Sequence, residues 1–588
     1  DVLKVLQLMP GVQSGSEGNS GLYVRGGGPD QNLLILDDAI VYNANHLFGF
    51  FSIFNGDALK STELYKGGFP ARFGGRLSSV IKMDMKDGNK EEIHGKFGIG
   101  LISSSLVLEG PIKRGKTSFI ISGRRTYFDA IAGLFNSSQD REGYFFYDLN
   151  AKINHEFNDK NKLYVSGYFG LDRFFARYEF DDSRSRLGWG NSSSTIRWNH
   201  QISKKVFTNT SLIFSRYLFG IQDEEDGYEL RYSSSIRDFG FKYDVDFFPS
   251  INHAIKLGVA TTNHKFIPNA LVIEEEFVDP TDEKEEFNTL ESAVYIEDDM
   301  NYGKLNAHVG FRFSHFIHEQ KIYARPEPRI SLAYTLSNDY AIKASYASMN
   351  QYVHLLSNSG IGLPTDLWVS STDRVRPQSS SQIAAGVAKD LASGITLSIE
   401  GYLKKSENVI SYKEGASFLI LDDPESSESV SWEDNITTGG ADAYGIEFFV
   451  EKKVGDFTGW IGYTLSRTEF QFEELNFGRK FLARYDRRHD LSLVGIYTIS
   501  KRLTLSGTWI YGTGNNFSLP RRTFRTARDV FGNSFIDDRF NEIEQRNNFR
   551  AEAYHRLDIN IRMTKEKKKG RRTWELSFYN AYSRRNPF

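Results

Sequence analysis

The sequence predicts a membrane all-β fold: a large antiparallel transmembrane β-barrel that follows a compact N-terminal domain of mixed α+β structure. Three observations lead to this prediction. From about residue 92 onward, apolar and polar residues alternate with period two, as in the run 503–509. The connections between these runs are alternately short and long. Aromatic residues make up 14% of the chain, which fits the ring-rich girdles of barrels at membrane interfaces.

Connection lengths separate a membrane barrel from a soluble β-sandwich, which also alternates along its strands. Short turns such as FNDKNK and NYGK are followed by long loops, for example near 350–376 and 511–550. Short turns on one rim and long loops on the other are typical of outer-membrane barrels. We count about 21 of the 22 strands that plugged barrels have. We therefore expect the closing strand and the start of the first domain to lie outside this sequence.

Composition excludes several classes of function. The chain has 72 Lys and Arg against 75 Asp and Glu, so it has no basic excess for binding nucleic acid. It has no cysteine, which excludes disulfides and thiolate metal sites. No window reaches the roughly 18 consecutive apolar residues of a transmembrane helix. The chain begins at Asp1 without a leader, so we expect any secretory signal to have been removed.

Residues 1 to about 90 predict a small domain with its own helices and strands. We expect a short helix that ends at Pro10 and strands at 21–25 and 32–42. Asn55 or Asp57 could cap a second helix that stops at Gly67. The barrel is then expected to span residues 91–588.

Three motifs occur in order within this first domain: LYVRGG at 22–27, LDDAIVYN at 36–43 and LYKGGFPARFGGR at 64–76. Together they resemble the plug domain of TonB-dependent outer-membrane receptors. The segments GFFSIFN and SGRRTYFD resemble the variety found in Bacteroidetes-type bacteria. The resemblance implies that residues 1–90 form a plug inside the lumen of the barrel.

The resemblance also implies a function in the bacterial outer membrane. Such a receptor binds a scarce nutrient (siderophore, cobalamin, glycan or similar) at the cell surface and imports it past the plug. The energy comes from the TonB complex, which pairs by strand addition with a short box expected ahead of Asp1. Expected partners are outer-membrane lipid, the nutrient and an accessory surface lipoprotein. The alternative is a plugged barrel that serves in binding, adhesion or envelope assembly without transport.

Plug arginines are the first group of candidate site residues. In the family that the sequence resembles, plug arginines pair with acidic residues of the barrel wall and hold the plug in place. The resemblance assigns this latch to Arg25, Arg72 and Arg76. A guanidinium in a confined lumen needs a carboxylate partner, whereas on a wet face of the plug it would simply be solvated.

Candidate ligand contacts come from two segments. The apolar segment 42–54 would form the apex of the plug, or its rings would pack the plug against the wall. A long loop near 511–529 is locally basic and could meet an anionic ligand. The candidates are Asn43, Asn45, His46, Phe48 and Phe50 at the apex, and Arg521, Arg522 and Arg525 in the loop.

Neither catalysis nor a metal centre is predicted. His315 and His318 have opposite parity on a strand and cannot chelate one ion together. The sequence contains neither HExxH nor GxSxG. Acidic loops such as 223–226 and 421–434 lack the spacing of a calcium loop and predict solvated charge. We therefore expect no enzyme activity and no cofactor.

Overall fold

A computed structural model describes residues 1–15, 21–46, 49–135, 141–178, 183–225, 228–275, 278–284, 286–337, 339–357, 366–414, 416, 431–525 and 539–587. Within these ranges the N-terminal domain lies inside a closed antiparallel sheet. None of the described helices is long and apolar enough to cross a membrane.

The first domain is built on a four-stranded sheet. Its central strands pair in parallel and its outer strands are antiparallel. Asp1 is the N-cap of the first helix, and its carboxylate accepts hydrogen bonds from the backbone N–H groups of Leu3 at 3.0 Å and Lys4 at 3.3 Å. The elements are α1 Val2–Leu6, β1 Val12–Gln13, β2 Tyr23–Val24, β3 Asn32–Leu36, β4 Ala39–Ile40, β5 Asn45–His46, β6 Phe51–Ser52, β7 Leu59–Lys66 and β8 Ser79–Met85.

The helix predicted after Asn55 is wrong, because this segment is strand β7, which pairs with β8. A cap-like turn does exist, since the Asn55 side chain accepts a hydrogen bond from the Asp57 N–H at 3.1 Å. The β-forming residues Thr62 and Tyr65 follow, and β8 offers a row of backbone partners. Tertiary pairing therefore overrides the local helix signal.

The barrel wall follows chain order from strand to strand. Its elements are β9 His94–Ile99, β10 Ser103–Lys113, β11 Thr117–Thr126, α2 Phe128–Phe135, β12 Arg141–Asn158, β13 Asn161–Arg177, β14 Arg184–Gln201, β15 Val206–Glu225, β16 Tyr228–Ser250, β17 His253–Glu275, β18 Val278–Lys284, β19 Phe287–Tyr302, β20 Leu305–His318, β21 Lys321–Ser337, β22 Tyr340–Gln351, β23 Val353–Leu356, β24 Leu367–Ser370, β25 Gln378–Leu391, β26 Ile395–Tyr412, β27 Ile436–Lys452, β28 Phe457–Phe472, β29 Phe481–Leu482, β30 His489–Ser500, β31 Leu503–Gly512, β32 Asn516–Phe517, β33 Arg522–Arg525, β34 Arg539–Glu542, β35 Phe549–Arg550, β36 Tyr554–Lys567 and β37 Gly570–Phe578.

The ring closes where β37 lies next to β9. Strands β18 and β29 pair with the ends of β17 and β28, while β23–β24, β32–β35 and β33–β34 pair separately, within the loops. The predicted fold class, a large antiparallel barrel around a mixed α+β domain, is confirmed. The last strand of the plug ends at Met85 and the first wall strand begins at His94. The predicted boundary at residues 90/91 and the missing closing strand stay predictions.

Candidate functional site

Arg25 is the centre of a buried ionic cluster between the plug and the wall. Its Nε lies 2.7 Å from Glu447 Oε1, and one terminal nitrogen also contacts Glu400. Lys66 of the plug adds a second cation, with Nζ 2.6 Å from Glu447 Oε2. The Arg25 and Glu447 side chains are only 1% and 3% exposed. Burial lowers the pKa of Arg25, but the two carboxylates outweigh burial and raise it, so the guanidinium stays charged.

Arg72 makes the second contact of this kind. Its guanidinium and its backbone N–H both donate to Glu297 of β19, the backbone bond being 3.0 Å long. The turn that carries Arg72 also comes close to Arg312 of the wall. A Cβ on Gly74 would lie 2.2 Å from Arg312 Nε, so this position has no room for a larger side chain.

Arg76 differs from the other two arginines predicted to latch the plug. It is 5% exposed, yet no carboxylate lies within 4 Å of it among the described residues. Its Nη1 donates to its own neighbour, the Gly75 carbonyl, at 2.7 Å. Its guanidinium lies over the rings of Tyr42 and Trp368, 5.9 and 5.7 Å from their centroids. The ion pair predicted for Arg76 is therefore corrected to a contact with aromatic rings.

A wall arginine that the sequence analysis missed holds the same turn of the plug. Arg329 of β21 donates from Nη1 to the carbonyls of Pro70 at 2.7 Å and Phe73 at 2.6 Å. Its Nη2 lies 2.6 Å from Glu327, and both side chains are almost fully buried. No local sequence pattern indicated this contact, because Arg329 lies in an ordinary alternating strand and its partners in the plug are distant in sequence.

The plug apex contacts the wall rather than an open cavity. The Asn191 side chain donates to the Asn43 carbonyl at 2.5 Å, and Trp189 Nε1 donates to the Asn45 carbonyl at 3.3 Å. The Asn43 amide in turn donates to the Tyr217 hydroxyl at 3.4 Å. In this conformation the two asparagines are therefore used in plug–wall contacts.

A hairpin from the loop after β22 covers the apex from the long-loop side. Strands β23 and β24 pair with each other inside the lumen, and Trp368 of β24 lies edge-on to Tyr42 of the plug at 4.9 Å. A cavity of about 40 Å³ remains between them, with room for water but not for a nutrient. The hairpin joins an aromatic cluster that includes Tyr144, Phe146, Trp189, Tyr217, Phe219, Tyr232, Tyr412 and Trp432.

His46 is the most deeply buried of the predicted apex residues. It is 1% exposed, its Nδ1 lies 2.5 Å from Asp172 of β13, and its Nε2 lies 3.5 Å from Asp148 of β12. Its ring stacks on Phe146 with centroids 4.1 Å apart. In this structure His46 is therefore a plug–wall contact, and its contact with a ligand stays a prediction. Burial lowers the pKa of His46, but the two carboxylates outweigh burial, and the pKa is raised.

This raised pKa predicts a pH-dependent contribution to stability. The stabilisation by protonated His46 is fully present below the ordinary value of 6.5 and is lost as the pH rises through the folded-state pKa. We expect His46→Asn to cost about 3 kcal/mol at pH 5. This is the lower end for a buried pair, because Asp148 still pairs with Arg124 and Asp172 still accepts a hydrogen bond from the Tyr144 hydroxyl.

The measurement is the thermal unfolding midpoint in detergent from pH 5 to 10. The gap between the native protein and His46→Asn should be largest at low pH and should shrink toward pH 10. His94→Asn is the control, because the side chain of His94 is 53% exposed. A gap that does not change with pH would contradict the assignment.

The remaining predicted contacts are placed as follows. Phe48 and the side chain of Arg525 lie outside the described residues. Phe50 packs beside Phe51, with ring centroids 4.9 Å apart. Lys4 Nζ lies 4.6 Å from the centroid of the Phe50 ring. Arg521 is exposed and pairs with Glu544 at 2.8 Å. Arg522 is exposed on the hairpin β33–β34, and the role of this loop stays a prediction.

Metal chemistry finds no support in the part of the chain that the structure describes. There, no three His, Asp or Glu side chains come together in a way that could hold an ion. Charged side chains of the plug instead form ion pairs with carboxylates of the barrel wall. These ion pairs fasten the plug to the wall.

Two family models match this chain. The TonB-dependent Receptor Plug Domain matches residues 1–79, and the model described as TonB dependent receptor-like, beta-barrel matches residues 112–582. The chain therefore belongs to the TonB-dependent receptor family. Proteins of this family lie in the outer membrane, work with TonB and are not enzymes. The assignment to a Bacteroidetes-type organism stays a prediction.

Solved structures share the fold at low sequence identity. The FrpB iron transporter (F3-3 variant) from Neisseria meningitidis is 13% identical, with a TM-score of 0.68 over 99% of this chain and 92% of that chain. The outer membrane transporter YddB from Escherichia coli is 10% identical, with a TM-score of 0.69 over 99% and 92%. FpvA from P. aeruginosa, bound to heterologous pyoverdines, is 14% identical, with 0.68 over 99% and 80%. No curated protein matches the chain.

Proposed function

We propose that this receptor binds a scarce nutrient at the cell surface and imports it actively past the plug, driven by the TonB complex. The observation that carries the proposal is the ionic character of the plug boundary. Arg25, Lys66, Arg72 and His46 all meet carboxylates of the wall. Permanent interfaces are richer in apolar contacts, whereas ion pairs can exchange partners with water when the plug is pulled.

The nutrient class extends to siderophores, cobalamin, glycans or similar compounds. Iron complexes are tested first, because two of the structures similar in fold are described as an iron transporter and as a receptor in complex with iron-loaded pyoverdine. An accessory surface lipoprotein and a coupling box ahead of Asp1 belong to the same proposal. Both are tested by analysis of the intact protein in outer-membrane extracts.

A disulfide tether tests whether import requires movement of the plug. The sequence has no cysteine, so an engineered pair would be the only possible disulfide. Ala71 of the plug faces Gly310 of β20, and a Cβ on Gly310 would lie 2.8 Å from the Ala71 Cβ. A small shift brings this pair into the usual range of about 3.5–4.5 Å. We expect oxidised Ala71→Cys/Gly310→Cys to lower uptake about tenfold or more, because a locked plug closes the lumen.

Uptake of ⁵⁵Fe bound to a catecholate and to a hydroxamate siderophore is measured in cells with and without an active TonB complex. A reductant should restore uptake through the tethered receptor, and each single cysteine variant serves as a control. Full uptake through the oxidised receptor would contradict movement of the plug. Binding of a probe without energised uptake would favour the alternative, a plugged barrel that binds or assembles without transport.

A further inference from the structure

The outer surface of the wall carries an unexplained group of arginines on β13–β16. The orientation of these strands follows from their contacts with the plug. Asp172, Trp189 and Tyr217 contact His46, Asn45 and Asn43, so their side chains point into the lumen. Because side chains alternate along a strand, the residues next to them face outward, away from the plug. The outward residues that matter here are Arg173, Arg186, Arg216, Arg231 and Arg237.

Arg173, Arg186, Arg216 and Arg231 line a depression of about 400 Å³ in the outer surface, and Arg237 lies beside it, opposite Arg216. Its floor is formed by residues with little or no side chain, because Gly188 pairs with Gly220 across β14 and β15. Arg173 lies directly opposite Gly188 on the other side. Leu171 and Leu218, both outward-facing, line the middle of the depression, between Arg216 on the membrane side and Arg173 on the long-loop side. The result is a groove with a floor of glycine and leucine residues and with arginines at both ends.

The charge in this groove is not balanced by the protein. Arg216 lies directly opposite Arg237, a cross-strand pair of like charges that is destabilising by itself. Neither of them, nor Arg173, has a carboxylate within 4 Å in the described ranges, and Arg216 Nε is buried without a hydrogen-bond partner. By contrast, Arg231 pairs with Glu229 at 2.6 Å. The groove therefore offers at least three arginines to an external anion.

The height of the groove in the membrane follows from strand lengths. A tilted strand crosses the bilayer in about 9–11 residues. Counted from the short turns, the crossing part of β15 is about 206–215 and that of β16 is about 240–250, so Arg216 and Arg237 lie just beyond it. Exposed apolar side chains, Leu212 and Phe239, lie on the membrane side of this pair. Short turns mark the periplasmic rim, which places the arginines at the head-group level of the outer leaflet.

We propose that this groove is a binding site for a phosphorylated lipid of the outer leaflet. Its phosphates would accept hydrogen bonds from Arg173, Arg216 and Arg237, since the planar guanidinium matches phosphate in a bidentate way. Its acyl chains would run from Arg216 and Arg237 toward the membrane, past the exposed side chains of Leu212 and Phe239. The bound lipid neutralises the Arg216–Arg237 pair and fastens this side of the barrel in the membrane. The proposal does not depend on transport.

Native mass spectrometry of the delipidated full chain tests the site. The probes are lipid A with its phosphates, the same lipid after removal of the phosphates, and inorganic phosphate as a competitor. We expect the native protein to retain the phosphorylated lipid, and Arg216→Gln/Arg237→Gln to bind it about tenfold more weakly or worse, because charge-assisted hydrogen bonds are lost. Inorganic phosphate should not displace the lipid, since it lacks the acyl chain.

The matched control is Lys405→Gln/Arg467→Gln. These two cations also face outward, on β26 and β28, because their neighbours Lys404 and Thr468 are buried toward the lumen. Each already pairs with a carboxylate, Glu407 or Glu469. The control removes the same charge from another part of the wall and should bind the lipid as the native protein does.

Folding of the variants is checked separately, so that loss of lipid binding can be distinguished from misfolding of the barrel. In lipid-free detergent, Arg216→Gln/Arg237→Gln should unfold at or above the native temperature, because a like-charge pair has been removed. Arg173→Gln/Arg186→Gln, at the other end of the groove, should also weaken lipid binding. Native-like binding by both double variants, equal loss in the control, equal binding of the dephosphorylated lipid, or displacement by inorganic phosphate would each overturn the proposal.

Discussion

Replacing Arg25 with alanine is expected to loosen the plug by about 3 kcal/mol. The change leaves Glu447 buried at 3% exposure, with Lys66 as its remaining close cation among the described residues. Glu400 is 34% exposed and recovers part of its hydration in the variant, so loss of the contact between Arg25 and Glu400 contributes little to the expected effect. Hydrogen exchange in detergent should show amides near β2 opening about 100-fold more often, because 1.4 kcal/mol corresponds to a factor of ten.

Two companion variants make this result specific. Lys60→Ala removes a plug cation that is 63% exposed and pairs with Asp87 at 3.5 Å, so it should change plug exchange by less than about 1 kcal/mol. Arg25→Met/Glu447→Gln removes both members of the buried pair and should recover part of the loss. Equal effects of Arg25→Ala and Lys60→Ala would show that the buried cluster does not hold the plug.

Replacing Arg329 with methionine is expected to have an effect of about 3–5 kcal/mol. Glu327, which is fully buried, loses its guanidinium partner and keeps only the Ser314 hydroxyl at 2.7 Å. The carbonyls of Pro70 and Phe73 lose their wall donor at the same time. Hydrogen exchange of residues 64–79 should rise, and thermal unfolding in detergent should shift to lower temperature.

The double variant Glu327→Gln/Arg329→Met separates charge from packing. If the buried unpaired carboxylate dominates, the double variant should be more stable than Arg329→Met alone. Arg329→Lys keeps the charge but not the forked donor, so it should fall between native and methionine. Exchange confined to the wall, with the plug unchanged, would contradict the role of Arg329 as a plug contact.

Local sequence features predicted the fold, which is confirmed, and the ion pairs of Arg25 and Arg72 with the wall, whereas their role as a latch stays a prediction. Period-two alternation and sorted loop lengths predicted the barrel, because each wall strand has one face in lipid and one in the lumen. The motif LYVRGG placed Arg25 in the plug, and its wall carboxylates follow from the need to pair a confined guanidinium. Arg72 followed from ARFGGR in the same way.

The predictions that failed depended on contacts distant in sequence. Residues 59–66 form a strand because β8 lies beside them, although the preceding Asn55 and Asp57 resemble a helix start. The contact of His46 with Asp172, 2.5 Å away on the wall, is likewise distant in sequence, and whether His46 also contacts a ligand stays a prediction. Arg76 lies over aromatic rings because Trp368 folds into the lumen on a hairpin that no local pattern announced.

The sequence by itself determined the class of this protein: a plugged antiparallel barrel of the outer membrane, without cysteine chemistry. Only the tertiary structure decided which wall residues contact the plug. It also decided that Arg329 donates hydrogen bonds to a turn of the plug, and that outward-facing arginines of four strands lie around one groove. The physical reason is that alternation fixes the face on which a side chain lies, whereas strand register and plug position fix its neighbour. The position of a plug–wall contact or a lipid site therefore depends on which residues lie next to each other, and not only on the face of the strand that carries them.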